Sequence, residues 1–313
     1  MPVLTDRARL TRSAAFASIG MAVFLAALKL WAVWRTGSTA MLGSLADTAL
    51  DLVASVATLI GVWVAAQPAD ESHRFGHGKA EALAAILQVI LIALSAAAIV
   101  FRAIVRLVEG GRVEAAAEGI AVSGIAIVAT FALLAWQRHV IRQTGSVAIR
   151  ADNVHYQSDL LLNLAVIAAL VLDQYLGFAR ADPLFGLAIA AWLLWGAWRA
   201  SREAVDNLMD REWPEEKRLR FVERAATHPE LSKLHDLRTR TSGDRNFVQF
   251  HVDLPASMTV GEAHAIIERV EEDLCREFPG MELLIHIDPE GHVDEPGNAL
   301  VEADEFDKLE EKK

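Results

Sequence analysis

GIAVSGIAIVATFALLAW, from Gly119 to Trp136, and PLFGLAIAAWLLWGAW, from Pro183 to Trp198, contain no charged residue. A helix needs about 20 mostly apolar residues to cross the hydrocarbon core of a bilayer. Working outward from these two runs, six such stretches emerge, at roughly 14–34, 40–66, 82–108, 117–137, 147–177 and 183–199. Backbone N–H and C=O groups in lipid must be satisfied within their own segment, so each run reads as a helix. The expected fold of residues 1–208 is therefore a six-helix transmembrane bundle in a lipid bilayer.

Lys and Arg in the short loops set the orientation. The N-terminus, the 67–81 loop (Arg74, Lys79), the 138–146 loop (Arg138, Arg142) and the stretch after the sixth run (Arg199, Arg202) hold most of them. The opposite loops carry Arg35, Arg112 and Arg180. Both termini are expected in the cytoplasm, as an even number of spans requires. Arg7, Arg9 and Arg12 precede the first run, but it is long enough to span and lacks a clear small-residue cleavage site.

Beyond about residue 208 the pattern changes. A polar helix is expected at 214–228, with strands at 231–241, 247–254 and 281–288. Thr259 and Glu262 form a capping box, and Ala263, Ile266, Ile267, Val270 and Leu274 follow at helical spacing. The order αββαβ makes residues 209–290 a small α+β domain with helices on one face of a sheet. Residues 291–313 are acidic and poor in large apolar side chains, and are expected to be disordered. The formal net charge of −11 argues against nucleic acid as a partner. A single cysteine, Cys275, excludes an intramolecular disulfide and a thiolate zinc cluster. It reads as a helix residue near the small domain's core.

Four ionisable side chains interrupt the second and fifth runs. Asp47 and Asp51 are spaced i, i+4, and so are His155 and Asp159, so each pair shares a helix face. Each such group inside a membrane costs at least a few kcal/mol, roughly, on insertion scales. Two helices each presenting a pair can close a site of three oxygens and one nitrogen, which suits tetrahedral Zn²⁺. The same groups could also form a proton relay without metal, or simply pair with Ser44, Ser158 and Asn163 in the bundle.

Further candidates lie outside the spans. Asp70, His73 and His77 are close enough in sequence to meet one ion, or to be solvated loop residues. His235, His251, His264, His286 and Asp288 are spread over three strands and a helix. His251 alternates with Phe250 and Val252 and so points away from the apolar face, while His286 and Asp288 share a face. Their arrangement suits a binuclear zinc cluster. His228 and His292 fit no site, and His139 reads as interfacial.

Four stretches together resemble the cation diffusion facilitator family. They are GSTAMLGSLAD (37–47), RFGHGKAE (74–81), ADNVHYQSD (151–159) and LHDLRTR (234–240), and the resemblance runs from about Arg12 to Pro289. It implies a homodimer with a cytoplasmic metallochaperone-like domain, in a bacterial inner membrane, exporting divalent metal by alternating access in exchange for protons. The transport quartet would be Asp47, Asp51, His155 and Asp159, with zinc as cargo and cadmium or iron as alternatives. The family places a loop site at Asp70, His73 and His77, and a cluster bridged by an acid at His235, His251, His264, His286 and Asp288. It also places an interlocked charge network that hinges the dimer at Lys79 and Asp210. Two other functions fit parts of the pattern. A metal-sensing receptor without transport would use the soluble domain but leave the membrane ligands without purpose. An intramembrane metalloenzyme would need a general base and an open ligand position, and the chain has no H-E-x-x-H. The expected class is a transporter and not an enzyme.

Overall fold

A computed structural model describes residues 2–36, 39–109, 117–176 and 180–311. Gly37, Ser38 and Arg112 of the sequence reading lie outside these residues, and the side chain of Ser44 is likewise outside those described. The chain divides into two compact bodies, Thr5–Asp206 and a second from Asn207 onward.

The first body is six long helices: α1 (Pro2–Thr36), α2 (Thr39–Ala65), α3 (Ala80–Glu109), α4 (Ala117–Thr144), α5 (Val147–Leu176) and α6 (Ala181–Leu208). Among the described residues, all but α5 contain a stretch that is long and apolar enough to cross a membrane. The exception carries Arg150, Asp152, His155 and Asp159 within its first turns. Burial in this body is inverted relative to a water-soluble protein. Small or polar residues such as Ala14, Ser18, Ala22, Gln88, Ala96 and Gln137 are buried, while Phe16, Leu94, Phe101, Val128 and Trp198 face outward. Lipid solvates large apolar side chains, so helices in it gain from close contact through small residues. Gly61 shows how close: a Cβ there would fall 2.3 Å from Cβ of Ala84 on α3. Around this contact, Ala14, Ala15, Val62, Ala84, Val140, Ala148 and Ile149 bring five of the helices together. Helix α6 joins through Ile189, Ala190 and Leu193 against Ile92 and Ala96 of α3.

Several polar groups buried here are paired. Asp152 accepts from Ser18 (2.5 Å), Gln137 (2.8 Å) and Gln88 (3.4 Å), so one carboxylate on α5 clasps α1, α4 and α3. Asn153 donates to Gln137, and Tyr156 donates to the Ser18 carbonyl. Ser146 donates to buried Glu81 at 2.6 Å. These bonds fix the rotation of α5, and with it the direction of His155 one turn further on.

The second body contains α7 (Glu215–Ala225), β1 (Leu234–Ser242), β2 (Arg245–Leu254), α8 (Val260–Glu277), β3 (Met281–Pro289) and α9 (Glu305–Glu310). The sheet order is β1-β2-β3; β1 and β2 are antiparallel, and β2 and β3 are parallel. A parallel pair needs a crossover, which α8 supplies. The capping box forms, with the Glu262 amide donating to the Thr259 hydroxyl and the Thr259 amide to the Glu262 carboxylate. Val248, Phe250 and Val252 face the helices and pack with Phe221, Val222, Val270, Leu274 and Phe278. Phe221 is the hub, 5.7 Å from the Phe250 ring and 5.6 Å from that of Phe278. Truncating such a buried Phe to Ala costs about 3–5 kcal/mol. Cys275 lies at the edge of this core, and burial raises its thiol pKa.

The expectation of disorder after residue 290 does not hold for the described residues. Asp304 caps α9 by accepting from Phe306 N–H at 2.9 Å, and Leu309 is buried in the domain core. The Asp236 amide donates to the Val301 carbonyl, and Lys233 faces Glu302. Three apolar side chains, Val301, Phe306 and Leu309, suffice to dock the segment. Its acids are consumed as a cap and as partners of basic groups.

Candidate metal centre

Asp51 lies at the middle of α2 and faces the first half of α5. His155 Nε2 lies 2.9 Å from Asp51 Oδ1 and 3.8 Å from Asp159 Oδ2. One ligand atom from each of the three lies within 4.8 Å of the others. The His155 side chain is 5% exposed, and Nε2 makes no well-formed hydrogen bond among the described residues. A buried imidazole nitrogen aimed at two carboxylates is a donor set that could hold a cation.

Asp47, the fourth member expected, is not in this group. Its Oδ2 is 3.3 Å from Arg102 Nη1 on α3. Both side chains are more than half exposed. Asp47 nonetheless lines the same cavity, about 510 Å³, together with Asp51, His155, Asp159, Lys29 and Arg102. Of the polar partners considered from sequence, Ser158 donates to the His155 carbonyl and Asn163 to the Asp159 carbonyl, leaving the ligand oxygens free of them. Sequence reading missed Asp152, whose network orients α5. A carboxylate three residues before His155 within an apolar helix was the available signal.

The 67–79 loop folds on Asp70. Its Oδ1 accepts from the amides of Ser72 (2.9 Å) and His73 (2.6 Å). These bonds, that from His73 above all, hold its pKa below the ordinary carboxylate value. Asp70 Oδ1 is 3.3 Å from His73 Nδ1, and Oδ2 is 3.3 Å from His77 Nε2. The other nitrogen of His77 faces the Pro68 carbonyl at 3.2 Å. That contact favours the proton on Nδ1 and leaves Nε2 open to an ion, a familiar second-layer device.

In the second body, strand register builds the cluster. His235, His251 and His286 are neighbours at one level across the three strands, and Asp253 pairs with Asp288 two residues on. His251 Nδ1 is 2.9 Å from Asp288 Oδ2, His235 Nε2 is 3.5 Å from that same oxygen, and His286 Nε2 is 3.4 Å from Oδ1. Asp288 therefore presents one oxygen to two imidazoles and the other to a third. His264 is not brought in; it lies exposed on α8. An unforeseen residue joins, as Asp294 Oδ2 is 2.9 Å from His251 Nδ1. His228 contacts Asp273 at 3.1 Å, and His139 stacks on Trp136. Lys79 precedes α3 in the first body. Asp210 belongs to the second, where Arg240 Nη1 approaches it at 3.5 Å.

Residues 15–209 match the cation efflux transmembrane domain, and residues 213–290 match the cation efflux protein cytoplasmic domain. The chain belongs to the cation efflux family. The cation-efflux pump FieF of Klebsiella pneumoniae is 43% identical over 285 residues, covering 91% of this chain and 95% of the pump. FieF of Cronobacter sakazakii is 42% identical over 284 residues, covering 91% and 94%. A solved structure of CzrB in its zinc form is 34% identical, covering 28% of this chain and 99% of that one, with a TM-score of 0.25. Members of the cation efflux family are multi-pass membrane transporters and not enzymes, as the sequence reading expected. The domain matched at 213–290 is a dimerisation module.

Proposed function

We propose that this cation efflux protein is a homodimer of six-span subunits with both termini in the cytoplasm of a bacterial cell. It carries a divalent transition metal, zinc foremost, out across the inner membrane in exchange for protons. The carrying observation is the convergence of Asp51, buried His155 and Asp159 on one cavity within the helical body. A mixed nitrogen and oxygen donor set favours zinc over magnesium or calcium, and leaves cadmium and iron as competitors.

Proton coupling follows from the ligands. Carboxylates and imidazole must be deprotonated to bind metal, so cation entry releases protons and protonation releases the cation. His155 is the natural exchanging group, because unperturbed imidazole titrates near neutral pH. Alternating exposure of the site to the two sides then lets an inward proton gradient drive metal outward. Asp47 completes the quartet when it leaves Arg102 for the metal. The loop group and the His235–His251–His286–Asp288 cluster are further cytoplasmic zinc sites, the second with Asp288 as bridge.

The test is metal and proton flux in proteoliposomes with Zn²⁺, Cd²⁺, Fe²⁺ and Mn²⁺. Zinc flux should need the proton gradient, and Asp51→Ala and Asp159→Ala should each abolish it in correctly inserted protein. Parent-like flux in either variant would refute the proposed site. Zinc binding without flux in the parent would favour a receptor.

A further inference from the structure

The segment after β3 does more than cover the edge of the sheet. The chain turns at Gly291, whose φ of 87° is costly for any side chain. It then sets Asp294 against the cytoplasmic histidines. His251 Nδ1 lies 2.9 Å from Asp294 Oδ2 and 2.9 Å from Asp288 Oδ2. One imidazole nitrogen carries at most one proton, so two carboxylates converge on a single donor. Their mutual repulsion is relieved if a cation takes that position. His235 stands behind them with its side chain 1% exposed and its Nε2 3.5 Å from Asp288 Oδ2. Ligand atoms of His235, His251, Asp288 and Asp294 all lie within 4.8 Å of one another. Two imidazoles and two carboxylates make a complete tetrahedral donor set for Zn²⁺ within one subunit.

We propose that Asp294 is a metal ligand of the cytoplasmic cluster, so that zinc binding and docking of the 291–311 segment are a single coupled event. This rests on the reading of that cluster as a metal site. The segment has its own anchors on the domain. Leu309 enters the core, and Asp304 both caps α9 and accepts from the Leu234 amide beside His235. Docking holds Asp294 at the site, which raises metal affinity, and by reciprocity the bound metal holds the segment down. His292, 3.2 Å from the other oxygen of Asp294, orients that carboxylate. Cytoplasmic zinc thereby sets the order of the C-terminal segment.

Hydrogen exchange on the full-length protein during a zinc titration reads this locally, apart from zinc bound in the membrane body. In the parent, zinc should slow exchange in residues 291–311 and in β2 with one common midpoint. Asp294→Asn, at a partly exposed position, leaves the contacts of α9 in place. It should remove the zinc-dependent protection of 291–311 and raise the β2 midpoint by about tenfold or more, the scale typical of losing even a ligand's orienting partner. Truncation after residue 290 should raise the β2 midpoint by the same factor. His251→Ala should abolish the β2 response. A parent-like midpoint in Asp294→Asn, with the response lost in His251→Ala, would overturn the role of Asp294 and leave the cluster standing. An unchanged response in His251→Ala would remove the cluster itself. A midpoint raised by truncation but not by Asp294→Asn would mean that the segment contributes without this ligand.

Discussion

At the scale of single residues, Asp47 and Arg102 separate what spacing reveals from what it hides. The two i, i+4 pairs were legible because helical geometry alone puts their members on one face. The spacing singled out Asp51, His155 and Asp159, and the fold brings these three side chains together. It could not show that Asp47 faces an arginine 55 positions away on another helix. If Asp47 joins the proposed site, that contact would make Arg102 a competitor of the metal for it. Both side chains are well exposed to the cavity, so the pair is worth at most about 1 kcal/mol, or roughly fivefold in affinity. Arg102→Gln should therefore tighten zinc binding at the membrane site by up to about fivefold. Calorimetric titration in a background lacking the other clusters, His77→Ala with His251→Ala, isolates that effect. Unchanged or weaker binding there would show that Arg102 does not compete.

At the scale of elements, most boundaries and the capping box were readable, since apolar runs, period and caps are local properties. Two things were not. Acidic composition suggested that 291–313 could not fold, yet a short helix needs few apolar contacts when a formed core already offers a place for Leu309. The partners of each membrane helix were also hidden, because small residues recur on all of them. The structure shows that α2 and α3 approach closely at Gly61. A side chain there meets Cβ of Ala84 and lies 3.2 Å from the Ala80 carbonyl, which is backbone and cannot move aside. Forced overpacking of this kind typically costs about 1–3 kcal/mol. Gly61→Val should lower the melting temperature of the detergent-solubilised protein and reduce zinc flux, because α2 also carries Asp51. A parent-like melting temperature together with parent-like flux would show that the two helices separate there without consequence.

At the scale of the whole molecule, the chain passes from the helical body to the cytoplasmic domain through the junction after α6. The chain leaves that helix through Asp210, which has a φ of 54°, a left-handed conformation that aspartate tolerates better than most residues. Within its own body Asp210 faces Arg240. Lys79 stands at the start of α3, the helix that packs on both α2 and α5, which carry the candidate ligands. A charge link between Lys79 and Asp210 would therefore couple the cytoplasmic domain to the helices that carry the proposed site. A purely local role for Asp210 makes a different forecast: Arg240→Ala would reproduce the defect of Asp210→Ala, and Lys79 would be indifferent to both. Surface pairs contribute under about 1 kcal/mol to stability, so the readout should be transport and not melting. Lys79→Asp and Asp210→Lys should each impair zinc flux, and the double charge swap should restore much of it, as a double-mutant cycle detects for coupled residues. Restoration will be incomplete, because Lys at 210 confronts Arg240, and adding Arg240→Glu should improve it further. Additive losses in the swap, with the Arg240 change making no difference, would show that the two positions act independently.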